Sequence, residues 1–202
     1  MKRTAAAAER NRAPILEILL PLLPANGCIL EVASGPGVHL VAFAEARPDL
    51  SWQPSDPDPA ARASIAAWTD ERGLAKVAPP LDLDVTRPDW PDQAGEDGGF
   101  DGLVIVNLLH VAPWAACAGL MAGAARLLAP GGFLFVYGPF TRDGRHNSEG
   151  NRQFDRALRA SDPALGLRDL NDVAAAAAEQ GLALEAVVDM PANNRSLVFR
   201  KG

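Results

Sequence analysis

Glu31-Val-Ala-Ser-Gly35-Pro-Gly37 is the stretch of this chain whose residue types and spacing speak most directly of chemistry. It follows an apolar run from Cys28 to Ala33, so it reads as a strand entering a turn. Gly35 and Gly37 lack side chains where a ligand would press on the backbone. A tight strand-to-helix turn with no ligand would use the same residues. A dinucleotide fingerprint would need a small residue at position 40, for close packing beside a pyrophosphate. Leu40 stands there, preceded by His39. A reductase of the Tyr-x-x-x-Lys kind is disfavoured too, because Thr141 lies four residues after Tyr137. An acidic residue, a small residue and two spaced glycines instead suit S-adenosylmethionine. That ligand has no phosphate to cradle and offers an amino-acid end and a positive sulfonium.

Other residues fall in the order such a ligand requires. Asp56 closes the second apolar strand, where a carboxylate accepts ribose hydroxyl protons in charge-assisted bonds. Its competing role is a helix N-cap before Pro57. Asp84 is placed to accept from an adenine amino group, with Val85 over the ring face; otherwise it is an ordinary loop aspartate. Asn107 ends the fourth strand and could orient the cofactor. His110 follows it, and the near-neutral pKa of a histidine suits proton transfer. Tyr137, at the end of the fifth strand, faces either an acceptor or the edge of the core. The substrate-side candidates are Trp114, Arg142, Arg145, His146, Asn151, Arg168 and Asn193. The polar stretch 141–151 is expected to act as a lid, its arginines and histidine favouring an anionic small molecule. Glu9-Arg10-Asn11, ahead of the first helix, could fold over the cofactor from the other side; otherwise it is a polar helix entry.

The elements that must carry these residues alternate. Helices are expected over 12–23 (with Pro14 in the first turn), 38–47, 60–72, 114–128, 154–159 and 169–180. Strands are expected over 28–33, 50–55, 81–85, 100–108, 133–137, 182–189 and 196–200, and 86–99 reads as loop. Strands separated by helices imply right-handed crossovers and a parallel sheet. The last two strands have no helix between them and should pair antiparallel at one edge.

Composition bounds the function. The chain has 202 residues, 48% of them hydrophobic, and a formal net charge of −6, which argues against a nucleic-acid binder. Cys28 and Cys117 are too few for a disulfide scaffold, and the three histidines have no metal-ligand spacing. The first apolar run is far short of the ~20 residues a membrane span needs. Neither a membrane nor a metal is expected, and the cytoplasm is the expected location. The residues leave the oligomeric state open.

At ILEVASGPGVHLVAFA, WQPSDPDPAARASIAAW, LDLDVT, NLLHVAPWAACAGLMAGAARLLAPGG and YGPFTRDGRHNSEGNRQFDRALRASDPALGLRDL, the chain resembles a small class I methyltransferase-like family. That family includes methyltransferase-like protein 26. The resemblance implies one Rossmann-like α/β domain over residues 1–202. It also implies a seven-stranded, mostly parallel sheet with one antiparallel edge strand, and S-adenosylmethionine as cofactor. It names no substrate. Ala33 departs from the broader methyltransferase pattern, where glycine is frequent, and its methyl group is expected to forbid a left-handed backbone there. A binding module that kept the fold without catalysis is the alternative function. A nicotinamide-dependent reductase is the weaker one.

Overall fold

The computed structural model describes residues 2–4 and 6–202, with the backbone alone for residue 7. Alanine is the strongest helix former, and the alanine-rich start already folds as α1 (Ala6–Leu19). Helix therefore begins six residues before the expected position 12. Pro14 sits in its third turn, where it removes the donor that would reach back to the Arg10 carbonyl. The chain continues through β1 (Cys28–Val32), α2 (Val38–Ala46), β2 (Ser51–Pro54) and α3 (Pro59–Arg72). Next come α4 (Trp90–Ala94), inside the expected loop, then β3 (Phe100–Val106), α5 (Trp114–Leu127) and β4 (Leu128–Gly138). A short β5 (Phe140–Thr141) precedes α6 (Glu149–Ser161), and β6 (Arg168–Asp169) precedes α7 (Leu170–Glu179). β7 (Leu182–Met190) and β8 (Asn194–Lys201) end the fold.

Six strands form one sheet in the order β2-β1-β3-β4-β8-β7, while β5 and β6 pair apart from it. The count is one below the expected seven. Residues 76–81 run beside β2, with Ala78 N donating to Trp52 O at 2.8 Å and Leu81 N to Pro54 O at 3.0 Å. Pro79 and Pro80 have no N–H to give between those bonds, so isolated bridges replace a ladder. The last two strands pair antiparallel at one edge, as expected. Within that pair β8 is the antiparallel strand and lies one place inside the edge, against β4.

Both faces of the sheet are covered, which explains the near-continuous apolar runs of β3 and β4. Alternate residues go to opposite sides: Val104, Phe133 and Phe135 pack with Ile15, Phe43 and Ile65 of α1, α2 and α3. Leu103, Ile105 and Leu134 pack with Trp90, Leu120 and Val173 of α4, α5 and α7. No helix among the described residues is long and apolar enough to cross a membrane.

Candidate functional site

Strand order reverses between β1 and β3, and open α/β sheets bind ligands beyond the strand ends at such a point. A cavity of about 660 Å³ opens there. Ala33, Gly35, Asp56, Asp84, Val85 and Asn107 all line it, so residues far apart in sequence meet at one place. Asp56 and Asp84 are the charged groups of its wall.

Short bonds hold the turn between β1 and α2. Ser34 N donates to Ser55 O at 2.8 Å, and the Ser55 hydroxyl donates to Glu31 O at 3.0 Å. Asp56 is buried, at 7% exposure, and accepts from Gly35 N at 2.8 Å and from Asp58 N at 2.9 Å. The N-cap of α3 is Asp58, not Asp56: Asp58 accepts from Ala60 N at 2.9 Å. Each Asp56 oxygen thus has one backbone donor and keeps lone-pair capacity toward the cavity. A Cβ on Gly35 would meet no atom within 4 Å, whereas one on Gly37 would press on Ile65 at 3.1 Å. Gly37 therefore serves the packing of α3 and does not line the cavity. Val85 is set by a close approach, its carbonyl occupying the place of a Cβ on Gly119 in α5, 2.0 Å away.

Two further residues correct the sequence reading. Ala33 does adopt a left-handed backbone, with φ 55°, despite its methyl group. Glu31 does not line the cavity. It lies beneath the turn at 2% exposure, with Oε2 unpartnered. Burial pushes its pKa up to about 8, opposed by the Ser34 hydroxyl and assisted by Asp56, so the group is largely uncharged at neutral pH.

A second cavity, of about 570 Å³, adjoins the first, and Asn107 and Val111 belong to both walls. His110, Tyr137 and Asn151 line it. So do Arg10, Asn11 and Pro14 of α1 and Phe154 of α6. Arg10 and Asn11, expected ahead of the helix and over the cofactor, are part of α1 and line this second cavity, not the first. Phe154 was not foreseen, since its 41% exposure is not legible from an amphipathic pattern.

His110 packs edge-on to Phe154, ring centroids 5.6 Å apart. Burial, with the Arg168 guanidinium adding to it, pushes its pKa down to about 4. The ring is therefore neutral at pH 7, a weaker base than a near-neutral pKa would make it. Tyr137 is buried, which raises its phenol pKa, while hydrogen bonds with Asn11 and Asn194 act the other way. Asn11 Oδ1 in turn lies 2.8 Å from His39 Nε2, a bond in which the imidazole donates.

The remaining substrate-side candidates lie outside both cavities. Arg168 spends its guanidinium on the carbonyls of Leu109 (2.9 Å), Ala112 and Ala164 (2.7 Å), so it braces the His110 loop. Stretch 141–151 is pinned rather than free. Arg142 and Arg145 bond each other's backbone at 3.0 Å, Gly144 N donates to Asp169 at 2.8 Å, and both arginine side chains are exposed. His146 is turned to Asp155 at 2.9 Å. Asn193 offers its carbonyl to Asn147 and Asn151. Trp114, the first residue of α5, is 41% exposed, and Pro113 and Ala116 stand in the wall beside it.

A family model described as a protein of unknown function (DUF938) matches residues 2–201. Among solved structures, the fold superposes on an O-methyltransferase family protein from Burkholderia thailandensis with TM-score 0.83 at 18% identity, covering 98% of this chain and 57% of that one. It superposes on the pyocyanin biosynthetic protein PhzM with TM-score 0.75 at 17% identity, covering 97% and 56%. The mitomycin 7-O-methyltransferase MmcR gives TM-score 0.73 at 19% identity, covering 87% and 49%. The chain spans about half the length of these proteins, and at such identities the likeness establishes a methyltransferase-type α/β fold.

Proposed function

The chain belongs to this family of unknown function, and we propose that it is an S-adenosylmethionine-dependent methyltransferase acting on a small-molecule acceptor. One observation carries the reading: the two cavities share the wall made by Asn107 and Val111. A donor in one and an acceptor in the other would meet across it. The resemblance to the family that includes methyltransferase-like protein 26 points the same way. Free thiols at Cys28 and Cys117 suit a reducing compartment such as the cytoplasm.

The first cavity fits the cofactor chemically. Its two carboxylates match a ligand rich in hydroxyl and amino donors, and the empty space over Gly35 leaves room against the backbone. When bound, S-adenosylmethionine supplies a methyl carbon made electrophilic by a positively charged sulfur. Asp56 would accept from the sugar hydroxyls, Asp84 from the adenine amino group, and Leu83 and Val85 would cover the base. Asn107, between the chambers, would orient the reacting end. On the acceptor side, neutral His110 would accept a hydrogen bond from the nucleophilic atom and Tyr137 would fix its orientation. Positioning of this kind contributes roughly 7–11 kcal/mol in well-oriented reactions, more than a weak base could.

Calorimetric titration with S-adenosylmethionine and S-adenosylhomocysteine tests the reading. Saturable binding is expected, weakened at least about tenfold in Asp56→Ala while that variant still unfolds cooperatively. No saturable heat at millimolar ligand would reject the cofactor. An unchanged affinity in Asp56→Ala would remove that carboxylate from the site.

A further inference from the structure

We propose that the acceptor chamber takes a small carboxylate with an apolar body, and that Arg10 is the residue that selects its charge. The proposal rests on the methyl-transfer reading and adds the substrate class to it. The two chambers differ in sign. Among the described residues, the cofactor chamber carries Asp56 and Asp84 and no cation, whereas the acceptor chamber carries Arg10 and no acidic residue. In a chain of net charge −6, a chamber free of carboxylates and furnished with one guanidinium is set against its surroundings.

Arg10 is available for that role. Its helix neighbour Glu9 is paired with Arg12 at 3.1 Å. The exposed arginines of the 141–151 stretch do not reach the chamber. A guanidinium is planar and matches a carboxylate with two parallel donors. The other polar groups of the wall suit uncharged parts of a ligand. His110 is uncharged at neutral pH, and the Asn151 amide already donates to Asn147 and Asn193. The apolar part of the ligand has its own surface in Pro14, Val111, Pro139 and Phe154, of which Val111 and Phe154 are 49% and 41% exposed. A flat hydrocarbon body would cover those two side chains, and a volume of about 570 Å³ holds a molecule of that size.

Tyr137 is the chain's one tyrosine and lines this chamber. Labelling the full chain with 3-fluorotyrosine therefore gives a single fluorine resonance that reports on the acceptor side. The probes are matched acids and primary amides: 4-hydroxybenzoate with 4-hydroxybenzamide, and indole-3-acetate with indole-3-acetamide. Each acid is expected to shift the resonance with at least fivefold lower Kd than its amide. Arg10→Gln, which keeps a good helix former, is expected to remove that preference, and Arg142→Gln to keep it. An acid that binds no better than its amide, binding by neither, or an unchanged preference in Arg10→Gln would overturn the proposal. S-adenosylhomocysteine is titrated separately on the same samples. If it binds while acids show no preference, the carboxylate proposal alone fails. If acids are preferred but it does not bind, the chamber remains an anion site and the methyl-transfer reading fails.

Discussion

Ala33 and Asn107 end neighbouring strands, and each turns the chain with a positive φ, 55° and 59°. An L-residue pays roughly 1–2 kcal/mol for that conformation, less for asparagine, whose short amide tolerates it. Both residues line the first cavity, and stored strain tends to cluster at sites. Glycine removes the clash at position 33 but has more freedom to lose on folding. Ala33→Gly is therefore expected to stabilise the protein by about 0.5–1 kcal/mol, a rise of roughly 2–4 °C in Tm at most for a chain this long. A fall in Tm on differential scanning calorimetry would show that the methyl group makes a packing contribution larger than the strain.

At the scale of elements, the His110 loop depends on a partner remote in sequence. Arg168 binds the carbonyls of Leu109 and Ala112, and Gly166 N donates to His110 O at 3.0 Å. Arg168→Met keeps the stem but strands those part-buried acceptors. About 2–3 kcal/mol of stability should be lost, since bonds from charged donors are worth roughly 1.5–3 kcal/mol each and water will replace some. Faster amide hydrogen exchange over residues 109–112 than over β1 would mark the loss as local; uniform exchange would argue for global loosening. The same contact shows what a sequence can and cannot reveal. The turn at 34–37, the carboxylate ending β2 and the strand pair at the edge are local patterns of residue type, and they were legible. Side-chain direction is not local. Arg142, Arg145 and Arg168 are the residue type an acceptor site would want, yet two point to solvent and one is consumed by carbonyls. Arg10 and Asn11 looked like an entry segment because the alanines before them carry no apolar stripe, although alanine alone suffices to start the helix that presents them.

Over the whole molecule, three buried titratable groups set opposing pH dependences. His39 and His110 are both pushed down to about 4, chiefly by burial, with Arg12 and Arg168 respectively adding to it. The unfolded chain binds their protons first, so their contribution is complete above about 6.5 and is lost as pH falls through about 4. Glu31 works the other way. Its folded pKa is raised to about 8, so its contribution is complete below the ordinary carboxylate value and is lost as pH rises toward 8. Between about 4.5 and 6.5 the two histidines outweigh the one carboxyl, and stability should climb. From about 6.5 to 8 the histidines are flat and Glu31 alone acts, so stability should decline by up to roughly 1 kcal/mol per pH unit. A maximum near pH 6.5 follows. Glu31→Gln replaces the protonated acid by an uncharged group of the same shape, and it should flatten the alkaline decline while leaving the acid limb in place. Urea unfolding of both proteins at pH 5, 6.5 and 8 separates the cases. If the variant loses stability between pH 6.5 and 8 as steeply as the parent, the buried carboxyl beneath the glycine turn is not the group responsible.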